Sequence, residues 1–189
     1  MTDIEQLLAK NPKKYIIFDF DETLFTLHLP WHKYYAELAR RLYEFDPDFP
    51  QTKSVNKLEN DMTEKWGRKV AEIRWEYSLQ FEKDNLRGVT ELTDLTNFIR
   101  NNHSQYQFYL WTSNMRETVT PILQKSGLLP YFRQLVTKGD VLLMKPNPEG
   151  FEKILESQEH KKADFLMVGN SKNDQKAAEA SGIDYWMRP

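Results

Sequence analysis

Cysteine is absent from the 189-residue chain. That excludes a disulfide framework, a thiolate metal site and a cysteine nucleophile, and it matches a reducing compartment. Long apolar runs are missing too, and no stretch approaches the roughly 20 residues a membrane helix needs. The opening segment, Met1 to Lys14, is polar and charged and lacks the apolar run of a secretory signal. The expectation is a cytoplasmic protein with no membrane partner. Charge of one sign is not in excess: 26 Lys and Arg against 28 Asp and Glu leave a net −2. No global field attracts nucleic acid or an anionic surface. Neither a Walker loop nor a dinucleotide fingerprint occurs, and His28, His32, His103 and His160 lack metal-ligand spacing. Repeats and low-complexity tracts are absent as well. Aromatic residues, in contrast, are plentiful: 5 Trp, 9 Tyr and 11 Phe supply a core and rule out a disordered chain.

The apolar pattern alternates between short runs and helical faces. Tyr15 to Phe18 reads as a strand covered on both sides, as in a parallel sheet. Trp31 to Phe45 reads as a helix, broken by Asp46-Pro47-Asp48-Phe49-Pro50, and the spacing predicts one longer helix from Val55 to Phe81. From there the chain alternates helix and strand. Helices are predicted at Thr90–Arg100, Arg116–Ser126, Pro148–Ser157 and Asn173–Ser181, and strands at Gln107–Trp111, Gln134–Val136, Phe165–Val168 and Tyr185–Met187. Gly127 and Gly182 sit where two of these helices stop. The alternation predicts an α/β fold, a three-layer Rossmann-like parallel sheet core with a small α-helical cap inserted after the first strand. The core comprises residues 1–26 and 87–189, and the cap residues 27–86.

Ligands of such sheets bind beyond the carboxyl ends of the strands. Asp19, Asp21, Thr112, Asn170 and Asp174 all follow strands and so converge on one edge. Two carboxylates as close as Asp19 and Asp21 repel each other, and a divalent cation with oxygen ligands offsets that repulsion. One can attack phosphorus while the other moves protons. The plainer reading makes Asp19 a helix cap and Asp21 a solvated loop residue.

Four blocks decide between these readings. Asp19-Phe20-Asp21-Glu22-Thr23 resembles the DxDx[TV] signature of the haloacid dehalogenase-like superfamily. Leu110-Trp111-Thr112-Ser113-Asn114 resembles its second motif, Lys145-Pro146-Asn147-Pro148 its third, and Gly169-Asn170-Ser171-Lys172-Asn173-Asp174 its fourth, usually GDxxxD. The blocks stand in the family's order, and the resemblance spans about residues 15 to 187. It implies a phosphatase branch with a helical cap, because the second Asp is retained. Asp19 is then the nucleophile and Asp21 the general acid and base. Thr112, Ser113, Asn114 and Lys145 bind the phosphate, with Thr112 and Lys145 also catalytic. Asp19, Asp21, Asn170 and Asp174 hold Mg²⁺. Asn170 departs from the family's Asp and removes one charge from the metal site.

The resemblance thus implies a Mg²⁺-dependent phosphatase acting on a small phosphorylated metabolite through an aspartyl-phosphate. Two alternatives stand beside it: a phosphomutase of the same branch, and a non-catalytic binding protein with a degraded metal site. Trp31, His32, Lys33, Trp66, Arg68, Arg74, Trp75 and Arg116 are the candidates for contact with the rest of the substrate. The expected partner is a phosphate ester rather than nucleic acid, and the short final strand suits a monomer or weak homodimer.

Overall fold

The computed structural model describes residues 3–52, 54–156 and 160–188. Its centre is a five-stranded parallel sheet of β1 (Tyr15–Phe18), β4 (Gln107–Trp111), β5 (Phe132–Val136), β6 (Phe165–Gly169) and β7 (Asp184–Met187). They lie in the order β5-β4-β1-β6-β7. Successive residues of β1 point to opposite faces, so each face needs its own cover. Ile16 and Phe18 join Phe108, Leu110, Leu166 and Val168 beneath α1 (Asp3–Lys10), α5 (Thr93–Asn102) and α6 (Arg116–Lys125). On the other face Ile17, Tyr109, Phe165 and Met167 pack against α7 (Glu149–Leu155) and α8 (Lys172–Ser181). This double cover explains why the strands read as continuous apolar runs.

Between β1 and β4 the chain adds three helices, α2 (Trp31–Phe45), α3 (Val55–Trp66) and α4 (Arg68–Asn85). They share a core of their own, built from Tyr34, Leu38, Leu42, Leu58, Met62, Val70, Tyr77 and Phe81. Two short strands, β2 (Phe25–Leu27) and β3 (Val89–Glu91), pair antiparallel where the chain enters and leaves this segment.

Several boundaries differ from those read in the sequence. The predicted helix over 55–81 is two helices, broken at Gly67, whose φ of +61° only glycine adopts without strain. The apolar spacing runs across the break, which hid it. Trp66 is not on the buried face: it is exposed, with its indole N–H donating to Asp46 at 2.8 Å. Thr90 lies in β3, and the helix begins at Thr93. The helix that starts at Glu149 is described to Leu155, and the predicted end at Ser157 lies outside the described residues. Helix α1, with Ile4 and Leu8 buried, has too few apolar residues to stand out in a polar segment. No described helix is long and apolar enough to cross a membrane.

Candidate active site

The geometry starts from register. Phe18 at the end of β1 is level with Leu110 of β4 and Val168 of β6. The chain leaves all three strands on one edge, and Asp19, Thr112 and Asn170 follow there. The Asp19 N–H still donates to the Val168 carbonyl at 2.9 Å, which anchors that residue to the sheet. A tight turn comes next. The N–H groups of Leu24 and Phe25 both donate to the Phe20 carbonyl, at 2.9 and 3.1 Å, and Glu22 adopts a φ of +58°. Phe20 is fully buried, so the carboxylates on either side of it stand together at the sheet edge.

Lys145 ties the site together. Its ammonium donates to Asp19 Oδ1 at 2.8 Å, to Asp174 Oδ1 at 2.5 Å and to the Trp111 carbonyl at 3.1 Å. All three of its N–H groups are therefore engaged. Burial alone would lower the lysine's pKa, but the Asp174 and Asp19 carboxylates outweigh it and hold the proton on firmly. The Asp19 carboxyl is pushed up to about 6, chiefly by burial and further by Asp174, with Lys145 opposing both. Asp19 Oδ2 makes a long 3.4 Å contact with the Thr23 hydroxyl, and the Phe20 backbone N–H also helps hold the carboxyl's pKa down.

Asp174 is held from both sides. Its Oδ2 accepts from the Ser171 N–H at 3.1 Å and the Ser171 hydroxyl at 2.6 Å, while Oδ1 faces Lys145. Ser171 and Asp174 form a reciprocal capping box at the start of α8, a pattern legible in Ser171-Lys172-Asn173-Asp174 itself. Gly169 makes this possible: a Cβ there would lie 2.7 Å from the Asp174 side chain.

Asp21 stands apart from this network. Its Oδ1 accepts from the Leu27 N–H at 2.7 Å, and its Oδ2 from the Trp31 indole at 3.0 Å. Burial raises its pKa to about 7, against the Leu27 bond and with the Asp19 and Glu22 charges adding to the rise. A carboxyl poised near neutrality can both give and take a proton. Trp31, one candidate for substrate contact, is thus a residue that orients Asp21.

Oxygens that could hold a cation stand at Asp19 and Asn170, whose Oδ2 and Oδ1 atoms lie 3.4 Å from the same Thr23 hydroxyl. Carboxylate and amide oxygens from two strand ends, with an exposed Asn170, match the hard-ligand preference of Mg²⁺, which also keeps several waters. Among the described residues no three His, Cys, Asp or Glu side chains gather around one point. Both oxygens of Asp174 are already bonded.

The second motif is arranged differently from the reading above. The Thr112 hydroxyl donates to Asn114 Oδ1 at 2.9 Å and accepts from the Asn114 N–H at 3.1 Å. Thr112 is buried, while Ser113 is exposed and lines the cavity with Asn114. In this arrangement Thr112 shapes the loop and Ser113 presents it.

A cavity of about 330 Å³ opens at this edge. Asp19, Asp21 and Lys145 line it from the sheet, and Tyr34, Tyr35 and Glu59 from α2 and α3. Lys138, from the loop after β5, completes the wall; its ammonium donates to the Tyr34 hydroxyl at 2.7 Å and to Ser78 at 3.1 Å. Sequence reasoning missed Glu59 and Lys138, because neither lies near a motif. Arg74 was a candidate for substrate contact. It is fully buried and donates instead to the carbonyls of Val141 and Leu142, at 3.0 and 2.9 Å. Trp75 likewise donates to the Lys138 carbonyl, at 2.8 Å.

Known proteins resemble parts of this chain. Pyrophosphatase PpaX of Halalkalibacterium halodurans is 33% identical over 82 residues, covering 43% of this chain and 38% of that protein. Phosphoglycolate phosphatase of Pectobacterium atrosepticum is 34% identical over 64 residues, covering 34% of this chain and 27% of that protein. The matches thus span less than half the length of these curated relatives. The solved structure of YfnB from Bacillus subtilis bound to magnesium superposes with a TM-score of 0.56 at 21% identity, covering 92% of this chain and 87% of that one. At that identity the likeness concerns the fold. The family model described as haloacid dehalogenase-like hydrolase matches residues 16–187, nearly the whole chain and all four motifs, and this protein belongs to that family.

Proposed function

We propose that this chain is a phosphatase that hydrolyses a small phosphorylated metabolite through a covalent aspartyl-phosphate. One observation carries the reading: Lys145 fixes one oxygen of Asp19 and leaves the other facing a cavity beside a carboxyl, Asp21, that titrates near neutrality. Asp19 Oδ2 attacks phosphorus as the ester bond to the leaving oxygen breaks. Asp21 gives its proton to that oxygen, then takes one from the water that cleaves the acyl phosphate. Lys145 keeps the approach of two anions favourable. Ser113, exposed at the cavity wall, is the group of this loop best placed to meet the phosphoryl oxygens. Asp174 is assigned to holding Lys145 rather than to the metal.

The oxygens suited to hold Mg²⁺ are the Asp19 carboxylate, the Asp21 backbone carbonyl and Asn170 Oδ1. When bound, the ion neutralises charge on the phosphoryl group. The three-helix segment, residues 27–86, acts as a cap that excludes water from the cavity. Its docking supports this, because Asn60 of α3 exchanges two hydrogen bonds of 2.8 Å with the backbone of Met144, beside Lys145.

A panel of phosphate esters, assayed with and without Mg²⁺, tests the reading beside Asp19→Asn. The native protein turns over at least one ester with Mg²⁺ present. The variant loses about 10³-fold or more in kcat, since an amide is a poor nucleophile, while its circular dichroism stays native. Equal rates for both proteins overturn the role of Asp19.

A further inference from the structure

Glu59 lies on α3 and lines the same cavity as Asp19 and Lys145. It is only 5% exposed, and its Oε2 has no hydrogen-bond partner among the described residues. The Thr63 hydroxyl above it donates to the Glu59 backbone carbonyl at 2.6 Å and does not reach the carboxylate. Lys138 and Arg74 face Glu59 as charges, yet the hydrogen bonds they make go to other groups: Lys138 donates to Tyr34 and Ser78, and Arg74 to the carbonyls of Val141 and Leu142. Buried carboxylates are ordinarily paired or hydrogen-bonded, so a donor is missing here. The cavity is where that donor can arrive, because Glu59 lines it from the helices while the reacting Asp19 lines it from the sheet.

We propose that Glu59 determines specificity by accepting a hydrogen bond from a hydroxyl or amino group on the leaving-group side of the phosphate ester. The inference rests on the phosphatase reading and deepens it. With the phosphate at Asp19, the remainder of a small ester extends toward α3 and meets Glu59. A donor there satisfies the carboxylate. A second carboxylate there leaves it unpaired and repelled. This chain therefore favours polyol or amino-alcohol phosphates and disfavours a leaving group such as glycolate.

The probes are glycerol phosphate, ethanolamine phosphate, phosphoglycolate and, as the reference without a second polar group, ethyl phosphate. Binding is measured by calorimetric titration of Asp19→Asn protein, and kcat and KM on protein with Asp19 intact. At least one donor-bearing ester exceeds ethyl phosphate and phosphoglycolate by roughly 10- to 100-fold in affinity, and the arm that does so tells hydroxyl from amine. Glu59→Met collapses that preference, mainly through KM. Glu59→Gln keeps the shape and one acceptor oxygen and retains part of the preference, which guards against misfolding of the Met variant. A preference for phosphoglycolate, equal affinities for all four esters, or an unchanged preference in Glu59→Met overturns the proposal. If no ester is hydrolysed with Mg²⁺, the phosphatase reading fails, and the titration still decides the role of Glu59.

Discussion

Two groups of buried charges face one cavity, and they are completed to different degrees. Around Lys145 every strong group has a partner. The ammonium spends three N–H groups on Asp19, Asp174 and Trp111, and Ser171 takes the far side of Asp174. Around Lys138 the account stays open. Among the described residues Glu59 Oε2 and Arg74 Nε lack hydrogen-bond partners, although both residues are buried and their charges face each other. The difference follows from what each group meets. The first must present the same oxygens in every catalytic cycle, so its own chain holds it rigid. The second meets a part of the substrate that the chain cannot supply, and an acceptor meant for an incoming donor stays unpaired until that donor arrives.

The same chemical operation on the two groups should give effects of different size, and this is the sharpest way to break the comparison. Lys145→Met strands two buried carboxylates. It should cost about 3–5 kcal/mol of stability by denaturant titration, and catalysis with it. Its counterpart Glu59→Met should cost less stability, because Glu82 still faces Lys138, and should act mainly on substrate preference. If both destabilise alike, the two groups do not differ in kind. Gly169→Ala loosens the closed group without touching a charge. The added methyl meets Asp174 at 2.7 Å and pushes it off Lys145. The expected loss is about 1–3 kcal/mol, read from thermal midpoints, with a fall in kcat larger than any change in KM. Asn170→Asp probes the smallest effect, of the order of tenfold or less. It should lower the Mg²⁺ concentration needed for half-maximal activity, because a carboxylate is the stronger hard-cation ligand. Unchanged Mg²⁺ dependence would remove Asn170 from the metal.

Much of the closed group was legible from residue order. The strands β1, β4 and β6 are apolar runs that end abruptly, and in a parallel sheet the next polar residue must emerge at the carboxyl edge. Asp19, Asp21, Thr112 and Asn170 could therefore be placed before any coordinates, and Lys145 followed from its motif. Roles were less legible than places. Asp174 serves as a clamp on Lys145, and the Thr112 hydroxyl is directed at Asn114, because each side chain's orientation depends on neighbours from other strands. The break at Gly67 escaped because the apolar spacing of two helices happens to run in phase across it. Arg74 and Trp75 looked like substrate contacts and instead bond to backbone carbonyls of the loop that carries Lys138.

Local chain chemistry, by itself, determined the parallel sheet and the edge at which Asp19, Asp21 and the other strand-end polar residues emerge, since strand periodicity and chain exit are properties of short segments. Only the tertiary structure decided which buried charges close on one another and which stay open to a ligand. Glu59 and Lys138 lie 79 residues apart in the chain. Only the packing of α3 against the sheet edge makes them walls of one cavity.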